Sequence, residues 1–462
     1  MPSFATDVPA LLLRLDPNPY HHGTLGAARS LGRAGVEVHA LVGSRIGAVG
    51  RTRFLHRVHT AGPAAAAGPG GAPTDAELEG ALLEASEAIG RPAVLVPLDD
   101  RGAIGAARLA SRLAGRYLLP AVAPLLPARL ADKAELSAVC ARAQVAHPPT
   151  VLPGSAREAA RAATDLGLPT VAKWSRPWLL PPGLRSTALV RSPAEAARLY
   201  ERTAEAGSAL LLQRRLPDAP GADWFFHGYA AEGGRFLVGG AGRKERSWPP
   251  RTGLTAVGTW LPCPAVEKAA ARLAAALDYR GILDLDFRLD PVTGVHHLVD
   301  FNPRPGAQFR LFTDRTGVDV VRAQHLHLTG RHVPEPRGGP GRVFVVENYA
   351  LLSALLGPRG LGHAPAAAAR GPVERAWFAA DDPLPFAAMA AGWLGRCLVR
   401  GAHPAALRER LRTGNARTTP GRAAGAAHPA TTVPAHPAPG PEGQQHTEPT
   451  SHTERRNPCT TS

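Results

Sequence analysis

Short apolar runs at residues 10–15, 36–42 and 93–98 alternate with stretches of helical periodicity, the clearest at 75–89. Unbroken apolar strands of that length, separated by helices, predict a parallel sheet covered on both faces, hence an α/β domain. Gly23 and Gly26 follow the first run and lead into a helical stretch through Leu31. They do not complete a G-x-G-x-x-G, so a tight turn into a helix is expected rather than a dinucleotide site. Asp99 and Asp100 stand at the carboxyl end of the third run, where acids either cap the next helix or face a ligand crevice. Residues 61–73, rich in Ala, Gly and Pro, read as a loop.

Further along, the pattern changes. A helix opening at 131–133 and running to about 143 is expected, with strands at 169–173 and 210–216, and the aromatic-rich 223–229 should pair antiparallel with 236–240. Two alternating runs, 282–289 and 296–302, flank Asp290-Pro-Val-Thr-Gly294, which has the composition of a hairpin loop. If 290 and 296 close that loop, Asp286 lies opposite Asp300 and Asp284 opposite Asn302. The side-chain period of two then puts Leu283, Leu285, Phe287, Leu289, Val299 and Phe301 on one face. The other face gathers Asp284, Asp286, Asp300 and Asn302.

Like charges opposed across a ladder destabilise it unless a cation neutralises them. Hard oxygen donors on a rigid hairpin suit Mg²⁺, with Mn²⁺ an alternative, held together with substrate phosphates. A lone acid pair on a strand would read as a solvated face. Four oxygen donors running into Asn302-Pro-Arg304-Pro outweigh that reading, because Arg304 would set a planar fork on the phosphate held by the metal.

Composition narrows the field. The 462 residues allow two or three domains, and the net charge of +15 invites a polyanion partner. Arginine is nevertheless spread along the chain without a basic block or aromatic interleaving, which argues against a dedicated nucleic-acid binder. Of the 53 basic residues only Lys133, Lys173, Lys244 and Lys268 are lysines, so each marks a place where a guanidinium does not substitute. Cys140, Cys263, Cys397 and Cys459 form no C-x-x-C pair and read as reduced thiols. With no signal-like or membrane-spanning run, a cytoplasmic protein is expected.

Over the hairpin the chain resembles the ATP-grasp superfamily, the ligases that include biotin carboxylase and glutathione synthetase, and most closely its carboxylate-amine ligase members. That family ends its nucleotide site with an acid on one strand and an E-x-N-x-R pattern on the next. Asp286 matches the first acid, Asp300 the Glu by a conservative change, Asn302 the Asn and Arg304 the Arg. The resemblance implies a parallel-sheet pre-ATP-grasp domain followed by a two-lobed ATP-grasp domain with antiparallel sheets. It assigns phosphate contacts to Lys133, in a D-K pair at a helix start, and to Lys173, in a P-x-V-x-K strand. Residue by residue, the plain alternatives are an ordinary first-turn acid and a solvated edge lysine.

Where the family has a Gly-rich phosphate loop, this chain reads WSRPWLLPPGLRST, with Gly183 as its one glycine, so Arg185 and Ser186 are the implied contacts. The strand at 210–216 matches the adenine-binding linker, with Gln213 beside the purine. Arg214 and Arg215 replace the linker's usual acid and leave Asp218 or Asp223 for the ribose. Arg243 and Lys244, with Arg251 behind them, are implied to approach the γ-phosphate and an acyl phosphate; the plain alternative is a charged loop.

The expected domains are 1–130, α/β; 131–335, nucleotide-binding; 336–408, a small extension closing over the acceptor site; and 409–462, a disordered tail. The expected activity is ATP- and Mg²⁺-dependent carboxylate-amine, or carboxylate-thiol, ligation of small molecules through an acyl phosphate. Two other classes stay open, an ATP-binding regulatory module without turnover and a basic polyanion binder. The sequence identifies neither the substrates nor the oligomeric state.

Overall fold

The N-terminal apolar runs form the centre of a five-stranded sheet, where their three strands are buried on both sides. β1 (Ala10–Arg14), β2 (Val38–Val42), β3 (Arg57–Thr60), β4 (Ala93–Pro97) and β5 (Tyr117–Leu118) lie in the order β3-β2-β1-β4-β5, every pair parallel. Helices α1 (His22–Gly32), α2 (Asp75–Ile89) and α3 (Asp100–Leu109) pack against it. Thr74 and Glu77 form a reciprocal capping box at the start of α2, and Gly90, at φ 75°, ends it in the left-handed region that glycine adopts without strain. Helix α1 begins earlier than the glycine pattern suggests: His21 caps it, so Gly23 and Gly26 lie inside the helix instead of in a turn before it.

The computed structural model describes residues 2–401 except 44–45, 62–72, 182–183, 250–252 and 357–370. Most of the loop expected at 61–73, Gly183, Arg251 and the whole tail expected from 409 therefore lie outside the described residues. Cys140 and Cys263 are buried free thiols. No helix among the described residues is long and apolar enough to cross a membrane.

Two further sheets follow. β6 (Thr150–Val151), β7 (Thr170–Trp174), β8 (Thr187–Val190) and β9 (Leu210–Gln213) form an antiparallel sheet in the order β6-β9-β7-β8. The larger sheet contains β10 (Asp223–Ala230), β11 (Phe236–Trp248), β12 (Leu254–Trp260), β13 (Gly281–Leu289), β14 (His296–Asn302), β15 (Val343–Val345) and β16 (Val373–Arg375). Its order is β14-β13-β10-β11-β12-β15-β16, antiparallel throughout except for the parallel β15–β16 pair. The architecture is thus an N-terminal parallel sheet followed by two largely antiparallel ones. β11 runs eight residues past the expected end at 240, so residues 242–246 are strand and not a charged loop.

One core cluster joins the first sheet to the largest. Leu12, Ala28 and Val96 share it with Tyr229, Val238 and Ile282, through Val320, Val321 and Leu326 of the helix Val320–Leu328. This packing brings the carboxyl ends of β1 and β4 next to the β13–β14 hairpin. The C-terminal segment contributes β15 and β16 to the large sheet and also docks on α1. Asp382 accepts Arg29 Nε at 2.9 Å, Thr52 Oγ1 at 2.6 Å and the Arg53 amide at 3.1 Å. Arg29 is fully buried, so removing its carboxylate would leave an unpaired interior charge. Asp382→Ala should cost about 3–5 kcal/mol in urea unfolding. Asp381→Ala, which breaks the largely solvated pair with Arg33, should cost about 1 kcal/mol or less.

Candidate active site

The hairpin has the expected register at its acidic end and a defect at the other. Asp284 pairs with Asn302, Leu285 with Phe301 and Asp286 with Asp300; the ladder then shifts, pairing Phe287 with Leu298. The bulge leaves Val299 without a ladder partner and turns Leu298 into the core beside Leu283, Leu285, Phe287 and Phe301, so Val299 does not occupy the expected core position. The Val299 carbonyl accepts Lys173 Nζ at 3.0 Å. One extra residue therefore keeps the acids aligned and also fixes a lysine beside them.

Cations approach the acidic face from separate elements. Lys133, in the first turn of the helix Lys133–Arg142, is buried and bonds Asp300 Oδ1. Arg304 is held at 3.2 Å by Asp100, at 3.4 Å by Asp284 and at 3.1 Å by Asn302. His227 of β10 places Nε2 3.0 Å from Asp284 Oδ1. Burial pushes the Asp286 carboxyl up to about 6; Lys244 opposes the rise, while Asp284 and Asp300 add to it. Burial also disfavours the Asp284 carboxylate, yet the adjacent His227, Arg304 and Lys244 hold that group below its ordinary range. Lys173 is brought down to about 8 by burial and by Lys133, against the pull of Asp300 and Asp286.

The acids, Arg304 and Lys244 border a cavity of about 970 Å³ that the N-terminal sheet helps to line. Asp284, Asp286, Asp300, Asn302, Arg304 and Lys244 form one wall. Asp16, Asn18, Tyr20 and His21, from the loop after β1, and Asp99 and Asp100, after β4, form another. Burial, with Arg304 opposing it, raises the Asp100 carboxyl. Asp99 is committed to capping α3, accepting the Gly102 amide at 2.7 Å. His21 accepts the Thr24 amide at Nδ1, 3.2 Å away, and burial holds its pKa well below 6.5. A neutral ring that accepts at Nδ1 carries its proton on Nε2.

No family model and no curated relative matches the sequence. Solved structures do. The biotin carboxylase domain of Hydrogenobacter thermophilus 2-oxoglutarate carboxylase, in complex with MgADP, ADP and bicarbonate, is 18% identical at TM-score 0.54, with 71% of each chain covered. N5-carboxyaminoimidazole ribonucleotide synthetase from Thermus thermophilus is 19% identical at TM-score 0.51, covering 71% of this chain and 81% of that one. L-amino acid ligase from Bacillus licheniformis is 13% identical at TM-score 0.51, covering 72% and 78%. The chain has the ATP-grasp fold.

Within this ATP-grasp fold the expected site residues divide into two groups. Asp286, Asp300, Asn302, Arg304, Lys133, Lys173 and Lys244 converge. Arg243 does not. The ladder aligns it with Trp224 and Phe287, whose side chains are on the core face, and Glu245 accepts its Nε at 3.0 Å. Strand alternation therefore turns Arg243 away from the acids and Lys244 toward them. Gln213 is buried, donating to Thr150 Oγ1 at 3.0 Å, and β9 ends there rather than at 216. Asp223 is paired with Arg288 at 2.9 Å. Arg185 is exposed, and its neighbour Ser186 lines the cavity together with Pro177 and Trp178, whose carbonyl accepts Arg101 Nε at 2.7 Å.

The sequence reading missed the loop after β1. Its signal was Asp16-Pro-Asn-Pro-Tyr-His-His22 at the carboxyl end of a parallel strand, where ligands of α/β sheets collect. The backbone also approaches the site closely at Gly306: a Cβ there would lie 2.1 Å from His227 and 2.6 Å from Asp284. Gly306→Ala should lower stability by about 1–3 kcal/mol in urea unfolding. Gly80→Ala, in α2 where nothing lies within 4 Å, should instead raise it by about 0.5–1 kcal/mol.

Proposed function

We propose that the protein is an ATP- and Mg²⁺-dependent carboxylate-amine ligase working through an acyl phosphate, with a carboxylate-thiol ligase as the nearest variant. One observation carries the reading: two opposed carboxylates and an amide on one hairpin face, ringed by three of the chain's four lysines and by Arg304. The similar structures include one bound to MgADP and one of an L-amino acid ligase, and the nucleotide, metal and reaction class are extended from them to this chain.

The donors fit the metal. Asp286, Asp300 and Asn302 offer hard oxygens, and the burial and the neighbouring carboxylates that lift Asp286 are what a divalent cation offsets. Mg²⁺, or Mn²⁺, would be held by these three and would neutralise charge on the β- and γ-phosphates. Lys133, Lys173 and Lys244 would contact the phosphates as compact point charges. Arg304, locked by Asp100, Asp284 and Asn302, would orient the reacting carboxylate with little loss of side-chain freedom. His21 would donate from Nε2 to a substrate oxygen.

The carboxylate attacks the γ-phosphorus, the bond to the ADP oxygen breaks, and an acyl phosphate forms. An amine nitrogen then attacks the acyl carbon, phosphate leaves, and the nitrogen loses a proton to give the amide. Catalysis rests on positioning and electrostatics. A screen for ADP release over carboxylate and amine pairs tests the reading. Release that needs both partners supports it, whereas tight ATP binding without turnover across the panel would replace it with the regulatory module.

Asp300→Asn should leave circular dichroism unchanged and lower kcat/KM by about 100-fold or more. Full activity after this substitution would remove Asp300 from the metal site. The Asp286 carboxyl adds a pH dependence. Its folded value, about 6, lies above the ordinary 3.8, so between them the folded state binds more protons than the unfolded one. Its contribution to stability therefore falls as pH rises through that window. Because Mg²⁺ binds the ionised form, it should raise Tm more at about pH 7 than at about pH 5. An equal rise at both pH values would exclude Asp286 as a ligand.

A further inference from the structure

A second set of ligating side chains lies outside the cavity, at the open edge of the N-terminal sheet. β3 is the edge strand and is largely exposed. Beside it, Glu37 immediately precedes β2, His39 lies within β2, and His56 immediately precedes β3, its amide donating to the Val38 carbonyl at 2.7 Å. One donor atom from each of Glu37, His39 and His56 lies within 4.8 Å of the others. His39 is 2% exposed, with Nε2 2.8 Å from Glu37 Oε1 and Nδ1 3.1 Å from His59 Nε2. The His39 ring centroid is 5.2 Å from that of His56 and 5.4 Å from that of His59. Arg91 Nη2 holds the second oxygen of Glu37 at 2.8 Å.

We propose that Glu37, His39 and His56 form a binding site for a borderline divalent transition metal of the Zn²⁺ type, with His59 and Arg91 as outer partners. Two imidazoles and one carboxylate are a donor set that zinc accepts and that Mg²⁺, which prefers oxygen alone, does not. If His39 Nδ1–H donates to His59, the His39 Nε2 lone pair faces a carboxylate oxygen. Two lone pairs at that separation share a proton in the metal-free protein, and a divalent ion would displace it. A metal-bound imidazole usually hands its other N–H to an acceptor in this way, and ligating carboxylates are themselves hydrogen-bonded, as Glu37 is by Arg91.

Three donors ~2.1 Å from a tetrahedral ion lie ~3.4 Å apart, so rotation of the exposed His56 ring would close the site about the fixed His39. Burial keeps the His39 and His59 rings deprotonated to lower pH than free imidazole, the state a ligand needs. The bound ion would tie β3 to β2 at an edge that otherwise depends on a four-residue ladder.

The test is Zn²⁺ titration of the full chain, with Mg²⁺ saturating throughout so that the acidic hairpin does not compete. Affinity is read by competition with a chromogenic chelator. Wild type should bind one tight equivalent and gain in thermal midpoint. His56→Ala and Glu37→Gln, both at accessible positions, should lose that equivalent and the gain, while retaining MgATP binding. His59→Gln should weaken it by about 10–100-fold, as expected for an outer partner. Co²⁺ in place of zinc should give the ligand-field bands of a tetrahedral nitrogen-oxygen site in wild type and not in His56→Ala. The histidines of residues 402–462 are common to all these proteins, so zinc held there does not distinguish them. Equal zinc affinity in wild type, His56→Ala and Glu37→Gln would overturn the proposal, as would a wild type that retains no more zinc than the two substituted proteins do.

Discussion

Three carboxylates on the inward face of a buried hairpin cannot remain charged without cations near them. Asp284, Asp286 and Asp300 are brought together by strand period and register, and the surrounding structure supplies their neutralisation. Lys133 comes from a helix start, Lys244 from β11, His227 from β10 and Arg304 from the residues just after β14. An unpaired interior charge costs several kcal/mol, so folding the domain and assembling the site are one electrostatic problem. Asp286 is the member left least compensated, and its raised pKa marks where positive charge is still wanted.

The same compensation connects the sheets. Arg304 bonds Asp100 at the start of α3 as well as Asp284 and Asn302, so the carboxyl end of the parallel sheet is held to the hairpin by a polar contact above the apolar core shared through Ile282 and Val321. The loop after β1 lines the same cavity as the acids, and His21, capping α1, forms part of its wall. Asp382, accepting from Arg29, fixes the C-terminal segment to the other end of α1. Both of these polar linkages, Arg304–Asp100 and Arg29–Asp382, are fully or partly buried ion pairs. Such pairs add little net stability, but they penalise any arrangement that leaves one member alone.

The hairpin was legible in the sequence because period two and turn composition are local, and they place Asp286 opposite Asp300 without further information. The bulge was not legible. Nothing in His-His-Leu-Val-Asp says which residue loses its ladder partner, and that choice is made by Leu298 filling the core and Lys173 taking the Val299 carbonyl. Arg243 was misplaced for a related reason. Treated as a loop, residues 242–246 could present two neighbouring cations to one ligand, but as strand they alternate, and only Lys244 faces the acids. His21 and Asn18 depend on contacts between distant segments, which a residue pattern cannot express.

Lysine usage gives the site its sharpest physical signature. In a chain whose cations are otherwise arginine, Lys133, Lys173 and Lys244 sit where the reachable oxygens are close, buried and crowded, while Lys268 is on an exposed helix face. A guanidinium presents a planar fork, too wide to enter between Asp300 and the Val299 carbonyl from two directions at once. An ammonium makes a single compact contact there and can release its proton when burial demands it. Lys173 has already moved toward that limit, with a pKa of about 8, because it is buried and because Lys133 stands beside it. The mutual repulsion of the two lysines is countered by Asp300 and Asp286, and the phosphates of the proposed nucleotide would add further negative charge between them.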